Sequence, residues 1–138
     1  MKKLFLGFCF LCLLSSPAIA DEVQGLKTEV LVKTDSSWDG TLLPRYPKGQ
    51  PEITMLKITI PAGFDLPLHE HPVINAGILL RGELTVTTEE GEVLKLRAGD
   101  PIVEVVNKWH SGKNKGNTSA EILVFYAGQA GMPITVKQ

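Results

Sequence analysis

Turn residues interrupt this chain at close intervals. From Glu52 onward Gly, Pro and Asn leave only short runs between them, and no long helical period develops. The chain must therefore fold as short strands. Residues 52–60 form a β segment rich in Ile, Leu and Thr, whose apolar phase slips between Met55 and Leu56. The slip suggests a bulge or burial on both faces. Pro61-Ala62-Gly63 turns the chain. Further strands are expected at residues 68–71, 75–80, 83–88, 92–97, 102–106 and 120–127. Residues 83–88 and 92–97 make a hairpin across Glu89-Glu90-Gly91. Residues 28–33 alternate weakly, and 134–137 read as a terminal strand. Residues 111–119, polar and containing two Gly and two Asn, read as a loop. Such a chain is all-β, a sandwich or a barrel.

Residues 1–20 read as a secretory signal peptide. Lys2 and Lys3 precede an apolar run over residues 4–14, and Ala18-Ile19-Ala20 is a small-x-small cleavage pattern. Cleavage after Ala20 implies a periplasmic or secreted protein with no membrane span in its mature form. Cys9 and Cys12 both fall in this segment. The mature chain then offers no disulfide, thiolate nucleophile or Cys-ligated zinc site. Residues 21–50 read as an arm pinned by Trp38 and Tyr46, and residues 51–138 as the barrel. The net charge is −1, and removing Lys2 and Lys3 makes the remainder more acidic. No basic stripe is present, so nucleic acid is not an expected partner.

The chemistry concentrates in three histidines, His69, His71 and His110. On a strand, residues i and i+2 share a face, so His69 and His71 can reach one ion together. His110 ends a different strand and can approach from another side, as a metal requires. Every histidine is thereby assigned, which leaves none for a Ser-His-Asp arrangement.

Two stretches then resemble the motifs of the cupin family. Gly63, five residues, His69, Glu70, His71, three residues, Asn75, six residues and Gly82 follow the first motif, G-x5-H-x-H-x(3,4)-E-x6-G. Gly99, five residues, Val105, Val106, Asn107, two residues, His110, three residues and Asn114 follow the second, G-x5-P-x-G-x2-H-x3-N. The resemblance implies a double-stranded β-helix, a jelly-roll barrel with a divalent metal inside. It implies His69, His71 and His110 as ligands, with Asn75 at the position of the family's fourth ligand, a glutamate. It also implies a homodimer, with residues 21–50 and 134–137 as candidate contacts.

The departures bear on the chemistry. Val105 and Asn107 replace turn residues, and Asn107 tolerates a left-handed backbone. Asn75 replaces a carboxylate, so three imidazoles and an amide leave the site near the full ionic charge. Such a site favours an anionic ligand or hydroxide. The metal, whether Fe, Mn, Zn, Ni or Cu, is left open, since imidazole suits several. Glu104 is read as exposed, the default for a glutamate. Trp109 is read as packing, and Phe64, Leu79, Leu123 and Phe125 as core. Two functions stand side by side. One is a metal-dependent enzyme, dioxygenase- or isomerase-like, on a small anionic or enolisable substrate. The other is a non-catalytic envelope protein that binds a metal or a small ligand.

Overall fold

Alternating burial organises the chain from Pro51 onward. The computed structural model describes residues 25–138, and every regular element among them is a β-strand. The expected signal segment, residues 1–20, lies outside the described residues. The strands are β1 (Pro51–Ile60), β2 (Asp65–Glu70), β3 (Ile74–Arg81), β4 (Glu83–Thr88) and β5 (Val93–Arg97). They continue with β6 (Pro101–Val103), β7 (His110–Lys113), β8 (Ala120–Gln129) and β9 (Val136–Lys137).

They form two antiparallel sheets, ordered β1-β8-β3-β6 and β5-β4-β7-β2-β9. This is the jelly-roll barrel expected of the sequence. The core lies between the sheets, where Ile60, Leu79, Leu84, Val86, Leu96, Ile122 and Val124 are buried. Gly82 makes the turn from β3 to β4 at φ 78°, and a Cβ there would lie 2.8 Å from Ala120 Cα. Both facts require glycine. Asn107 takes the left-handed conformation the sequence permits, at φ 54°.

Several expectations are corrected. β1 pairs with β8 in unbroken register from Pro51↔Gln129 to Ile60↔Ala120, so no bulge explains the slip at Met55. Leu56, Ile58 and Ile60 point inward, while Ile53 and Met55 stand on the outer face, 54% and 59% exposed. Phe125 on β8 and Phe64 are exposed rather than core, and Leu123 is only partly buried on the outer side of β8. Residues 28–33 form no strand, since no segment among the described residues pairs with them. Residues 111–113, expected in a loop, continue β7. Tyr46 is exposed, so Trp38 alone of the two arm aromatics packs against the core.

Trp38 sits in a small turn closed by the Ser36↔Leu42 bridge. Its backbone N–H donates to Val103 O at 2.9 Å. Asp39 accepts from Lys108 Nζ at 2.9 Å, and Lys108 also reaches Glu92 at 2.6 Å. The arm is thus fastened to the barrel beside the end of β6.

Candidate metal centre

The site begins with a proline. β2 and β7 pair Leu66↔Gly112 and then His69↔His110, so β2 holds one extra residue between these pairs. Pro67 lies in that interval and has no N–H to give the ladder, which is where a strand tolerates a bulge. The bulge aims the Pro67 carbonyl at His69, whose Nδ1 donates to it at 2.7 Å. His110 is the direct cross-strand partner of His69, and directly paired residues share a face. His71 follows β2 on the same side.

All three imidazoles are held alike. His71 Nδ1 donates to Ile134 O at 2.8 Å, and His110 Nδ1 donates to Lys108 O at 2.8 Å. Each Nδ1 is therefore the protonated nitrogen, which leaves each Nε2 with a free lone pair. The ring centroids stand 4.4 to 5.1 Å apart. One donor atom from each ring lies within 4.8 Å of the other two. His110 Nε2 is buried without a hydrogen-bond partner, and so is Asn75 Oδ1. Buried polar atoms are rarely left so. An ion bound by the three rings would give the nitrogens their partner. These residues fit a divalent metal.

The same chamber holds an acid that the sequence placed outside. Glu104 is only 9% exposed. Its Oε2 accepts from Trp38 Nε1 at 3.3 Å and lies 3.9 Å from His110 Nε2. Its N–H donates to Asn75 O at 3.1 Å, so Asn75 and Glu104 are neighbours across β3 and the end of β6. The signal for this was present: Ile102 is core, and Glu104, two residues on, continues its face. Trp109 is partly buried and does not line the chamber.

The chamber opens into a cavity of about 360 Å³. Its walls are Leu56, Ile58, Leu66, Leu84, Ile122 and Val124, and its polar end carries His69, His71, Asn75, Glu104 and Tyr126. Tyr126 packs edge-on to His71 at 5.4 Å, and burial pushes its phenol up to about 12. Lys137 pairs with His69 across β2 and β9, so it faces the same side and lies at the cavity edge.

Burial lowers all three histidines, His71 to about 4, and raises Glu104 to about 7. The imidazoles are thus neutral near neutral pH, the form that binds metal. An unfolded histidine takes its proton near 6.5, and folded His71 takes one only near 4. Between those values the unfolded chain binds more protons, so acidification drains stability. Glu104 acts oppositely between 4.5 and about 7, but one carboxyl opposes three imidazoles. Metal-free protein should therefore show a lower urea midpoint at pH 5 than at pH 7. A midpoint that rises on acidification would mean that the rings are not buried neutral.

Comparison with known proteins settles the family. The family model for the cupin domain matches residues 56–126, more than half of the chain. The chain is a cupin. No curated protein matches it, but solved structures share the fold. A conserved protein with a double-stranded β-helix domain from Klebsiella pneumoniae aligns at 18% identity and TM-score 0.54, covering 67% of this chain and 88% of that one. The DMSP lyase DddQ of Ruegeria pomeroyi aligns at 22% identity and TM-score 0.54, covering 62% of this cupin and 43% of the lyase. The oxalate decarboxylase of Lactobacillus farciminis aligns at 19% and TM-score 0.54, covering 62% of this cupin and 26% of the decarboxylase. This cupin therefore spans less than half the length of either enzyme. Among its described residues no helix is long and apolar enough to cross a membrane.

Proposed function

We propose that this cupin holds one divalent transition metal on His69, His71 and His110 and presents it to a small molecule entering the apolar cavity. The observation that carries this reading is the common fixing of all three rings. Each Nδ1 is spent on a backbone carbonyl, and the other faces converge. Three protein nitrogens leave a coordination position for a ligand, whereas a purely structural site is closed by protein donors. The open cavity beside the rings supports ligand binding over a structural role.

The lining indicates the ligand class. Apolar walls suit a compact hydrocarbon body, and the polar end suits one anionic or enolisable group. Lys137 at the cavity edge favours a negative charge there. The bound ion would supply Lewis-acid polarisation of that group. Asn75 Oδ1, buried and unpaired, would orient a donor on the ligand. The wall residues would exclude water. The alternative, a binding protein without turnover, shares every one of these contacts and differs only in whether bound ligand is converted.

The test is elemental analysis of protein purified after expression of the full chain. About one equivalent of a transition metal per chain supports the reading, and no metal even after reloading would sink it. The same reading includes pairing of two copies. Met55, Ile53 and Phe125 expose a continuous apolar face on β1 and β8, which Leu31 and Val32 of the arm extend. Exposed apolar patches of this kind mark interfaces. Sedimentation should show a dimer that Phe125→Glu converts to monomer; a monomeric wild type at micromolar concentration would refute the pairing.

A further inference from the structure

Two buried charges in this chamber lack partners if taken separately. A divalent ion on three neutral imidazoles would keep its full charge beside an apolar-walled cavity, a costly arrangement without a counter-charge. Glu104 is likewise buried, and among the described residues the side-chain hydrogen bond it receives is that of the Trp38 N–H at 3.3 Å. His110 gives Glu104 no hydrogen bond, because its Nδ1–H is spent on Lys108 O and its Nε2, 3.9 Å from Glu104 Oε2, is the nitrogen that carries the lone pair. Each charge is the counter-charge the other lacks.

We infer that Glu104 supplies the carboxylate of the metal site, from the strand next to the one whose Asn75 carries none. The inference rests on the metal reading above. Its geometry is local. Asn75 and Glu104 are cross-strand neighbours, joined by the Glu104 N–H to Asn75 O bond of 3.1 Å. Neighbours of this kind project to one face, so a carboxylate moved from one to the other still enters the same chamber. Glu104 Oε2 stands 3.9 Å from His110 Nε2. Two donors on one tetrahedral ion, each at roughly 2.1 Å, stand about 3.4 Å apart. Glu104 lies outside the set of donors that are all within 4.8 Å of one another. It therefore acts at the edge of the donor set, where its charge and any hydrogen bond to a further ligand are felt. Trp38 is its positioning residue, so the arm takes part in the site through one indole N–H.

The experiment is a Co2+ titration of the full chain, followed by the visible absorption of the ion, with thermal melts of metal-free and loaded protein. Glu104→Gln keeps the shape and removes the charge. It should weaken Co2+ binding by about tenfold to a hundredfold, the range typical when a partner of the ligand set is lost, and should alter the spectrum. Above neutral pH it should leave the metal-free melting temperature unchanged or raised, since an ill-paired buried charge is gone. A merely structural glutamate would lower it. Glu104→Gln combined with Asn75→Glu moves the carboxylate across the strand pair and should recover most of the affinity. Trp38→Phe, which keeps the carboxylate and removes its donor, should weaken binding less than Glu104→Gln. If wild type binds Co2+ and Glu104→Gln binds it equally well, the inference is overturned and the three-histidine site stands. If wild type binds no metal, the metal reading itself falls and takes this inference with it.

Discussion

His69→Ala is expected to leave a folded barrel that no longer holds its metal. Elemental analysis should find about one equivalent per chain in wild type and essentially none in the variant. The loss should exceed the tenfold to hundredfold range seen when only a group behind a ligand is removed, because a ligand itself is gone. His69 is the right histidine for this test. His71 and His110 are 5% and 1% exposed, and truncating either would leave a buried void and an unpaired carbonyl. His69 is only partly buried, and its Nδ1 serves the carbonyl of a strand bulge near the surface. Metal that binds the native state alone raises its stability. Chelator should therefore lower the melting temperature of wild type and leave that of His69→Ala unmoved. A variant that retains a full equivalent would show that these rings do not hold the ion.

Much of this site is legible before any coordinates. The i, i+2 spacing of His69 and His71 follows from strand geometry alone, and the two motifs set His110 in register with them. The turn at Asn107 is equally legible, since few other side chains accept φ 54°. β7 is hidden for a physical reason. Its inward positions are His110 and Gly112, so no apolar residue announces the strand. A Cβ at Gly112 would stand 2.6 Å from Leu66 Cδ1, so the leucine would have to move aside for any larger residue. Hydrophobic alternation cannot report a face filled by an imidazole and a hydrogen. Residues 28–33 mislead in the opposite sense: Val30 and Val32 alternate, but both remain exposed, 72% and 46%, and no strand among the described residues pairs with them. Glu104 escapes because glutamate is usually outside. Only the phase set by Ile102 turns it inward. Its pairing with Asn75 needs the β3–β6 register, which no local pattern contains.

The last residue of the second motif has a role that the metal does not explain. Asn114 is fully buried. Its Nδ2 donates toward Ile60 O at 3.0 Å, Pro61 O at 3.2 Å and Thr118 O at 2.8 Å, while its Oδ1 accepts from Gly116 N at 3.0 Å. Its backbone exchanges bonds with the same turn, from Asn114 N to Phe64 O and from Gly63 N to Asn114 O. One side chain thus ties the end of β1, the following turn and the loop after β7. Asn114→Ala would take the donor from the buried Ile60 carbonyl and the part-buried Thr118 carbonyl and the acceptor from the part-buried Gly116 N–H, at roughly 1–3 kcal/mol for a group left unsatisfied away from water. The expected loss is about 3 kcal/mol in urea unfolding, with a melting temperature lower by on the order of 10 °C. Asn114→Asp should cost at least as much, because it turns a second acceptor toward carbonyls that need a donor. Neither should change Co2+ affinity by more than about twofold in protein that remains folded, since Asn114 contacts none of the three rings and effects at separate sites add. If Asn114→Ala unfolds within about 0.5 kcal/mol of wild type, the range of an ordinary surface substitution, this network is not what holds the motif's end in place. If it weakens metal binding as strongly as Glu104→Gln, its role reaches the site after all.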